Sequence, residues 1–378
     1  MKSLLSGGLL TLWLLPLLAQ ADWEVNMTPG VTDISQEVYG LHMTVLWVCV
    51  AIGVVVFGAM IYSIINHRQS KGHEAASFHE STTVEIIWTV IPVIILISLA
   101  IPAAQALVKM EDSSGSALTV QVTAYQWKWH YEYPEQEVEF FSNLDSKSRE
   151  ASARNSGIDP NEVDNYLLEV DNPLVIPIGK KVRLLLTSND VIHSWWIPDF
   201  AVKKDAIPGF VNDIWFKVNE PGTYRGQCVE LCGKDHGFMP IEVVALEEAA
   251  FQSWMQEQQA AAAAKAKADE QTWEMADLMA QGEKVYGTNC VACHQAKGQG
   301  IPGVFPAIAG SPIATGDLAP HIDIILNGQA GTAMQAFGSQ LSDADIAAVV
   351  TYQRNAFGNE TGDVVQPADI AAARQAGQ

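Results

Sequence analysis

The sequence predicts a membrane protein in three parts: a two-helix transmembrane hairpin, a β-sandwich and a small all-α domain. Three observations carry this reading. Residues 38–66 contain no Asp, Glu, Lys or Arg, and residues 86–108 contain none either. Between 117 and 246 these long runs give way to short strands separated by turn residues. From 274 to 357 the pattern is helical again.

The chain opens on an export signal. Lys2 supplies the positive region, residues 4–18 the apolar core, and Ala19-Gln20-Ala21 a small-residue cleavage site, so residues 1–21 are expected to be a signal peptide with the mature chain beginning at Asp22, an uncleaved anchor being the alternative. Each uncharged run that follows exceeds the roughly 20 residues of helix that cross a bilayer. Pro92 and Pro102 are expected to bend the second span against a neighbouring helix. Arg68 and Lys71 in the connecting loop place that loop in the cytoplasm, and everything after residue 110 outside.

In the β region, residues 118–124, 166–170, 174–178, 182–186 and 241–245 read as strands of a sandwich. A helical spacer follows, with alanines at 260–264 alternating into Lys265 and Lys267 and no evident buried face. The expected boundaries are 22–110 for the hairpin, 111–247 for the sandwich, 248–273 for the spacer and 274–360 for the helical domain. Residues 361–378 read as a flexible tail.

The 378 residues carry 43 acidic against 22 basic side chains, a formal net charge of -21. Such a surface repels nucleic acid and favours basic partners, with association that weakens in salt. Of the five cysteines, Cys49 lies in an apolar run and reads as packing. The other four form two close pairs, each near a histidine, and disulfides are the alternative for each pair.

Cys228, Cys232, His236 and Met239 fall within twelve residues at the end of the β region. Thiolate, imidazole and thioether together select copper over hard cations. A second cysteine four residues after the first allows both sulfurs to bridge two coppers. The second copper then needs its own nitrogen, for which His193 is the strong candidate. A tetrahedral zinc site leaves Met239 unexplained, and a disulfide leaves both histidines unexplained.

The loop Cys228-Val-Glu-Leu-Cys232-Gly-Lys-Asp-His236-Gly-Phe-Met239, with His193 upstream, resembles the binuclear copper centre of cytochrome c oxidase subunit II. The resemblance spans residues 38–246 and includes Val84-Glu-Ile-Ile-Trp88 and Tyr125-Gln-Trp-Lys-Trp129. It implies a cupredoxin-like sandwich in which Cys228 and Cys232 bridge the coppers. His193 and His236 are then the terminal nitrogen ligands and Met239 a weak sulfur ligand. Glu230 ligates through its backbone carbonyl, while its carboxylate holds a magnesium ion shared with subunit I. By the same resemblance Trp127 is the aromatic group through which electrons arrive, a buried core tryptophan being the plainer reading. Glu85 opens a proton-uptake path, against the plain reading of a residue marking the helix start. Asp205, which also matches a family motif, reads as one half of a structural ion pair.

Cys290-Val-Ala-Cys293-His294 is the signature of covalent c-type haem attachment. After it the chain has one methionine, Met334, and one histidine, His321. The segment resembles a class I cytochrome c, which implies His294 and Met334 as axial ligands and Pro306 as acceptor of a hydrogen bond from the proximal imidazole. Gln335 stands where that family often has proline. Ser342 reads as the N-cap of the helix after Met334, and His321 is expected at the surface.

The resemblance thus implies two copper ions, one covalent haem c and a shared magnesium, and an electron-input subunit of a haem–copper oxidase. Subunits I and III are its expected partners, with a soluble basic cytochrome c or a membrane-bound complex as donor. The expected location is the bacterial inner membrane, spanned twice, with both metal domains on the periplasmic side. The rivals are the input subunit of a nitric or nitrous oxide reductase and a membrane copper-delivery protein. Exposed Met- and His-rich stretches, which would favour the delivery protein, are absent. A quinol oxidase subunit shares the fold but lacks the copper ligands.

Overall fold

The computed structural model describes residues 26–378 except 75, 76, 78, 154, 155, 330, 339, 377 and 378. The signal-peptide expectation for residues 1–21 therefore lies outside the described residues. The chain forms two compact units that divide after Phe251.

The first unit begins with two long helices, α1 (Asp33–Asn66) and α2 (Thr82–Glu111), and α2 runs through both Pro92 and Pro102. Both are apolar around their whole circumference and leave that surface outside the core, with Trp47 62% and Trp88 63% exposed. An apolar helix that buries no face belongs in a membrane. The outer ends of the hairpin are tied to the domain that follows. Thr32 caps α1 by accepting from Ser35 N at 2.9 Å and donates to the Phe200 carbonyl at 3.1 Å. At the far end of α2, Trp215 Nε1 donates to the Lys109 carbonyl at 3.2 Å.

That domain is a sandwich of two five-stranded sheets. Its strands are β1 (Leu118–Tyr125), β2 (Lys128–Tyr133), β3 (Val138–Ser142), β4 (Leu174–Pro177), β5 (Val182–Ser188), β6 (His193–Ile197), β7 (Val202–Ala206), β8 (Asn212–Phe216), β9 (Gly222–Cys228) and β10 (Pro240–Leu246). One sheet has the order β3-β2-β1-β5-β8 and the other β4-β10-β9-β6-β7. Alternation sends Val120, Val122, Leu184 and Leu186 inward, where they meet Trp129, Trp195 and Phe216. A short helix, α3 (Ser146–Ser152), lies in the crossover from β3 to β4.

The strand expected at 166–170 is not formed. Asn165 and Leu167 adopt positive φ there, which breaks the extended backbone, and only Val170 makes a bridge, to Leu144. Helix α4 (Glu248–Asp269) runs across the division between the units.

The second unit holds α5 (Met275–Asn289), α6 (Val291–His294), α7 (Pro312–Thr315), α8 (Leu318–Asn327), α9 (Asp343–Asn355) and α10 (Pro367–Ala376). Ser342 caps α9 as expected, accepting from Asp345 N at 3.1 Å. The tail expectation for 361–378 is corrected. Val365 and Ile370 are buried, and the α10 residue Arg374 holds Asp343 at 2.6 Å. Buried Val365, Pro367 and Ile370, with the ion pairs of Arg374 to Asp343 and of Asp363 to Arg354, anchor this segment, too scattered a pattern to read as a helix face.

Helices α5 and α9 cross at Gly282, where an added Cβ would lie 2.2 Å from the Ala348 carbonyl and 2.6 Å from Tyr352 Cβ. Helix propensity alone says that Gly282→Ala stabilises by about 1 kcal/mol. Overpacking against a helix backbone costs about 1–3 kcal/mol and should win. We expect Gly282→Ala to lower the unfolding midpoint of the helical unit in the intact chain, measured by denaturant titration; a raised midpoint would show that the crossing has slack.

Candidate metal centre and haem crevice

The start of β6 and the loop from β9 to β10 meet at one edge of the sandwich. Strands β6 and β9 pair with Trp195 opposite Cys228, and Val229 N donates to the Ser194 carbonyl at 3.1 Å. This register brings His193, at the start of β6, against Cys228, at the end of β9. The short 3-10 turn His236–Phe238 then returns the chain so that Met239 is buried beneath the thiols.

All four side chains from the loop, together with His193, converge. The sulfurs of Cys228 and Cys232 lie 3.9 Å apart and unbonded, against about 2.05 Å for a disulfide. His193 Nδ1 lies 3.9 Å from Cys228 Sγ, while His236 Nδ1 lies 3.4 Å from Cys232 Sγ. Met239 Sδ is 3.3 Å from His193 Nδ1 and 3.5 Å from Cys232 Sγ. The Glu230 carbonyl approaches Cys228 Sγ at 3.5 Å. Each imidazole thus sits beside a different sulfur, and the soft donor set fits two copper ions sharing two thiolates. His193, Cys228 and Cys232 also form a buried cluster whose ligand atoms all lie within 4.8 Å of one another.

The thiols already share their protons unequally. A hydrogen bond from Cys232 draws Cys228 down to about 4 against the effect of burial. The same bond, reinforced by burial, pushes Cys232 well above the usual thiol range. Burial pulls the other way on His193, yet its hydrogen bonds to Asp190 and Cys228 hold it above the ordinary histidine value.

Asp190 is a functional residue that sequence reasoning missed. Its Oδ1 lies 2.9 Å from His193 Nε2, which fixes the proton on Nε2 and turns Nδ1 toward the sulfurs. Its Oδ2 accepts from Gln126 N at 2.7 Å, linking the histidine to the β1–β2 turn. The signal was present as an Asp three residues before a candidate ligand. On the same turn Trp127 is half-buried, not a core residue. Its Nε1 and the Gln126 amide both donate to the Cys232 carbonyl, at 3.2 and 2.7 Å. The tryptophans in the core are Trp129, whose Nε1 donates to the Met239 carbonyl at 3.4 Å, and Trp195. Asp205 pairs with Lys203 at 3.4 Å, an exposed pair as expected. Glu85 lies in the first turn of α2 and is exposed, far along the chain from this site.

In the helical unit a cavity of about 280 Å³ opens between the α6 segment and the loop after α8. Cys290, Cys293, His294 and Met334 all line it. His294 Nδ1 donates to the Pro306 carbonyl at 2.9 Å, the hydrogen bond expected for a proximal imidazole, which leaves Nε2 for iron. Gly300 makes the loop that delivers this carbonyl. Its φ is +64°, and a Cβ there would lie 2.4 Å from the Phe305 carbonyl.

His321 is not at the surface. It is 3% exposed and lines the same cavity, because α8 buries its 318, 321, 322, 325 face. Its Nδ1 has no hydrogen-bond partner among the described residues. A largely apolar pocket of this kind, with two thiols, two axial candidates and an orphaned polar atom, fits a covalent haem.

Residues 118–246 match the family described as cytochrome C oxidase subunit II, periplasmic domain, and residues 20–106 its transmembrane domain. Residues 277–352 match the family described as cytochrome C oxidase, cbb3-type, subunit III. The probable cytochrome c oxidase subunit 2 of Rickettsia prowazekii (strain Madrid E) is 38% identical over 233 residues, covering 62% of this chain and 72% of that one. Cytochrome c oxidase subunit 2 of Cereibacter sphaeroides is 32% identical over 240 residues, 61% of this chain and 78% of that one. A crystal structure of the periplasmic domain of subunit II of cytochrome oxidase from Bradyrhizobium japonicum is 39% identical with a TM-score of 0.34, covering 39% of this chain and 96% of that one. Nothing in these matches supports the nitrous oxide reductase alternative. The chain belongs to the cytochrome c oxidase subunit II family: it is a two-pass subunit of a haem–copper terminal oxidase that also carries a cytochrome c-type domain.

Proposed function

We propose that this chain is the electron-input arm of the oxidase. It accepts electrons in the helical unit, passes them to the sandwich and delivers them to haem in subunit I, where dioxygen becomes water with proton translocation. The observation that carries the reading is the pairing of one imidazole with each of two unbonded thiols 3.9 Å apart. When bound, two copper ions and one covalent haem c supply the one-electron redox centres. Cys228, Cys232, His193, His236, Met239 and the Glu230 carbonyl are the groups that would hold the coppers. Asp190 holds the His193 tautomer. Trp127, bonded to the loop through the Cys232 carbonyl, offers a half-exposed ring where electrons arrive. The half-exposed Glu230 carboxylate holds magnesium shared with subunit I.

In the helical unit Cys290 and Cys293 tether the haem, and His294 and Met334 ligate its iron. The arm stands on the periplasmic side of a bacterial inner membrane. It assembles with subunits I and III and takes electrons from a soluble basic cytochrome c or a membrane-bound complex. The acidic surface supports the basic donor.

Metal analysis tests the copper assignment. We expect two coppers per chain as a mixed-valence pair by electron paramagnetic resonance, lost in Cys228→Ser or Cys232→Ser. Asp190→Ala should keep the donor set yet weaken copper retention in chelator competition by about 10–100-fold. One copper, or one zinc, per folded chain would sink the assignment.

The haem assignment rests on Met334. Met334→Leu should abolish the sulfur-to-iron absorption band and lower the reduction potential, because a Met/His pair raises it. A surviving band would move the ligand to Met275 or Met279.

Glu85 begins α2 at the cytoplasmic end, where a carboxylate needs water or a partner. Glu85→Ala should slow oxygen turnover of the assembled oxidase while both metal centres keep their spectra. Turnover at the wild-type rate would leave Glu85 as a helix-start residue.

A further inference from the structure

His321 is a buried histidine in the haem crevice that none of the roles above uses. Its Nε2 lies 2.8 Å from Gln353 Oε1, and Gln353 Nε2 in turn points at Cys290 Sγ, 3.9 Å away. A thioether sulfur can only accept, so once Cys290 is joined to haem the Gln353 amide must present its NH2 to the sulfur and its oxygen to His321. That fixes the His321 proton on Nε2 and leaves Nδ1 with a bare lone pair. Both His321 and Gln353 line the crevice, and Nδ1 has no partner among the described residues. A buried acceptor left without a partner is costly, so a fold that keeps one is holding it for a guest or a proton.

We infer that His321 Nδ1 is the proton acceptor of a redox-linked site: one electron arriving at the haem is accompanied by partial uptake of one proton from solvent at this atom. The inference rests on the proposal that the crevice holds covalent haem. The added electron makes the crevice more negative and favours the histidine cation, while loss of the electron releases the proton.

The charged groups around the ring set the pH range. Arg354 on α9 acts on it directly and disfavours a second cation, though Arg354 is itself paired with Asp363 at 2.5 Å. On α10, Arg374 is paired with Asp343, and on either side of His321 in its own segment Asp317 and Asp323 are exposed. Burial first, and then Arg354, lower the His321 pKa from the ordinary histidine value, against the hydrogen bond that His321 donates to Gln353. The linked proton therefore moves on the acid side of neutrality. Well below this lowered pKa both redox states hold the proton; well above it neither does.

The test is a spectroelectrochemical titration of the c haem in the haem-loaded full chain, between about pH 5 and about pH 8. We expect the wild-type potential to climb as the pH falls from neutrality. In His321→Gln the climb should be lost while the sulfur-to-iron band is kept. Gln353→Glu places a carboxylate on Nε2 and should shift the climb to higher pH, a signature that does not depend on the first variant taking up haem. An unchanged pH profile in His321→Gln, or an unmoved profile in Gln353→Glu, overturns the inference. So does loss of the band in His321→Gln, which would make His321 an iron ligand. A chain that binds no covalent haem at all would instead refute the haem assignment and is seen before any titration, in the absorption spectrum of the denatured protein.

Discussion

Two thiols must be kept within 4 Å of each other without joining, with an imidazole held against each. Most of the first unit can be understood as the means of doing this. Left to themselves, two cysteines four residues apart in a flexible loop would sample many separations, and fixing them costs conformational entropy. Here the cost is met by register: β9 delivers Cys228 from one side of the sheet, β10 receives Met239, and β6 brings His193 beside them. Trp129 and Trp195, fully buried, form the floor of the site. The β1–β2 turn closes it from above through Gln126 and Trp127, both bound to the Cys232 carbonyl.

The same unit solves a second problem, the passage from lipid to water. The rule that apolar side chains go inside is inverted along α1 and α2 and obeyed from β1 onward. The change of rule coincides with a cluster of polar ties. Asn219 Nδ2 donates to Asp33 at 2.7 Å beside the start of α1, and Lys181 donates to the Ser114 carbonyl at 2.8 Å while lying 4.0 Å over the Trp215 ring. These contacts are short in sequence on the helix side and distant on the sandwich side. They fix the direction in which the sandwich leaves the membrane, and with it the direction in which the copper loop faces.

Long uniform patterns were legible in the sequence and short composite ones were not. The spans at 38–66 and 86–108 appear as longer helices because their ends are polar, and Thr32 caps the first. Strands β1, β5 and β10 alternate cleanly and were expected. Strands β2, β6 and β8 were not, since Lys128-Trp-His-Tyr-Glu-Tyr133 mixes charge with aromatics and its burial is decided by the opposite sheet. At the copper loop every candidate ligand converges, because soft ligands in one short loop leave few other arrangements. Asp190 was missed because a carboxylate beside a ligand carries no pattern of its own. His321 was misplaced for a different reason. It was judged on its chemical type, while its neighbours Ile322, Ile325 and Leu326 already described one buried face of its helix.

Joining the two units through one chain also changes the order of the reaction between them. A separate electron carrier must find its acceptor by diffusion, at a rate set by its concentration and by the salt around it. Helix α4 spans 22 residues, about 33 Å of helical rise. Because both units belong to one molecule, the proposed transfer between them is intramolecular, and its rate does not depend on the abundance of the protein. The transfer becomes first order and needs no high affinity between the two surfaces.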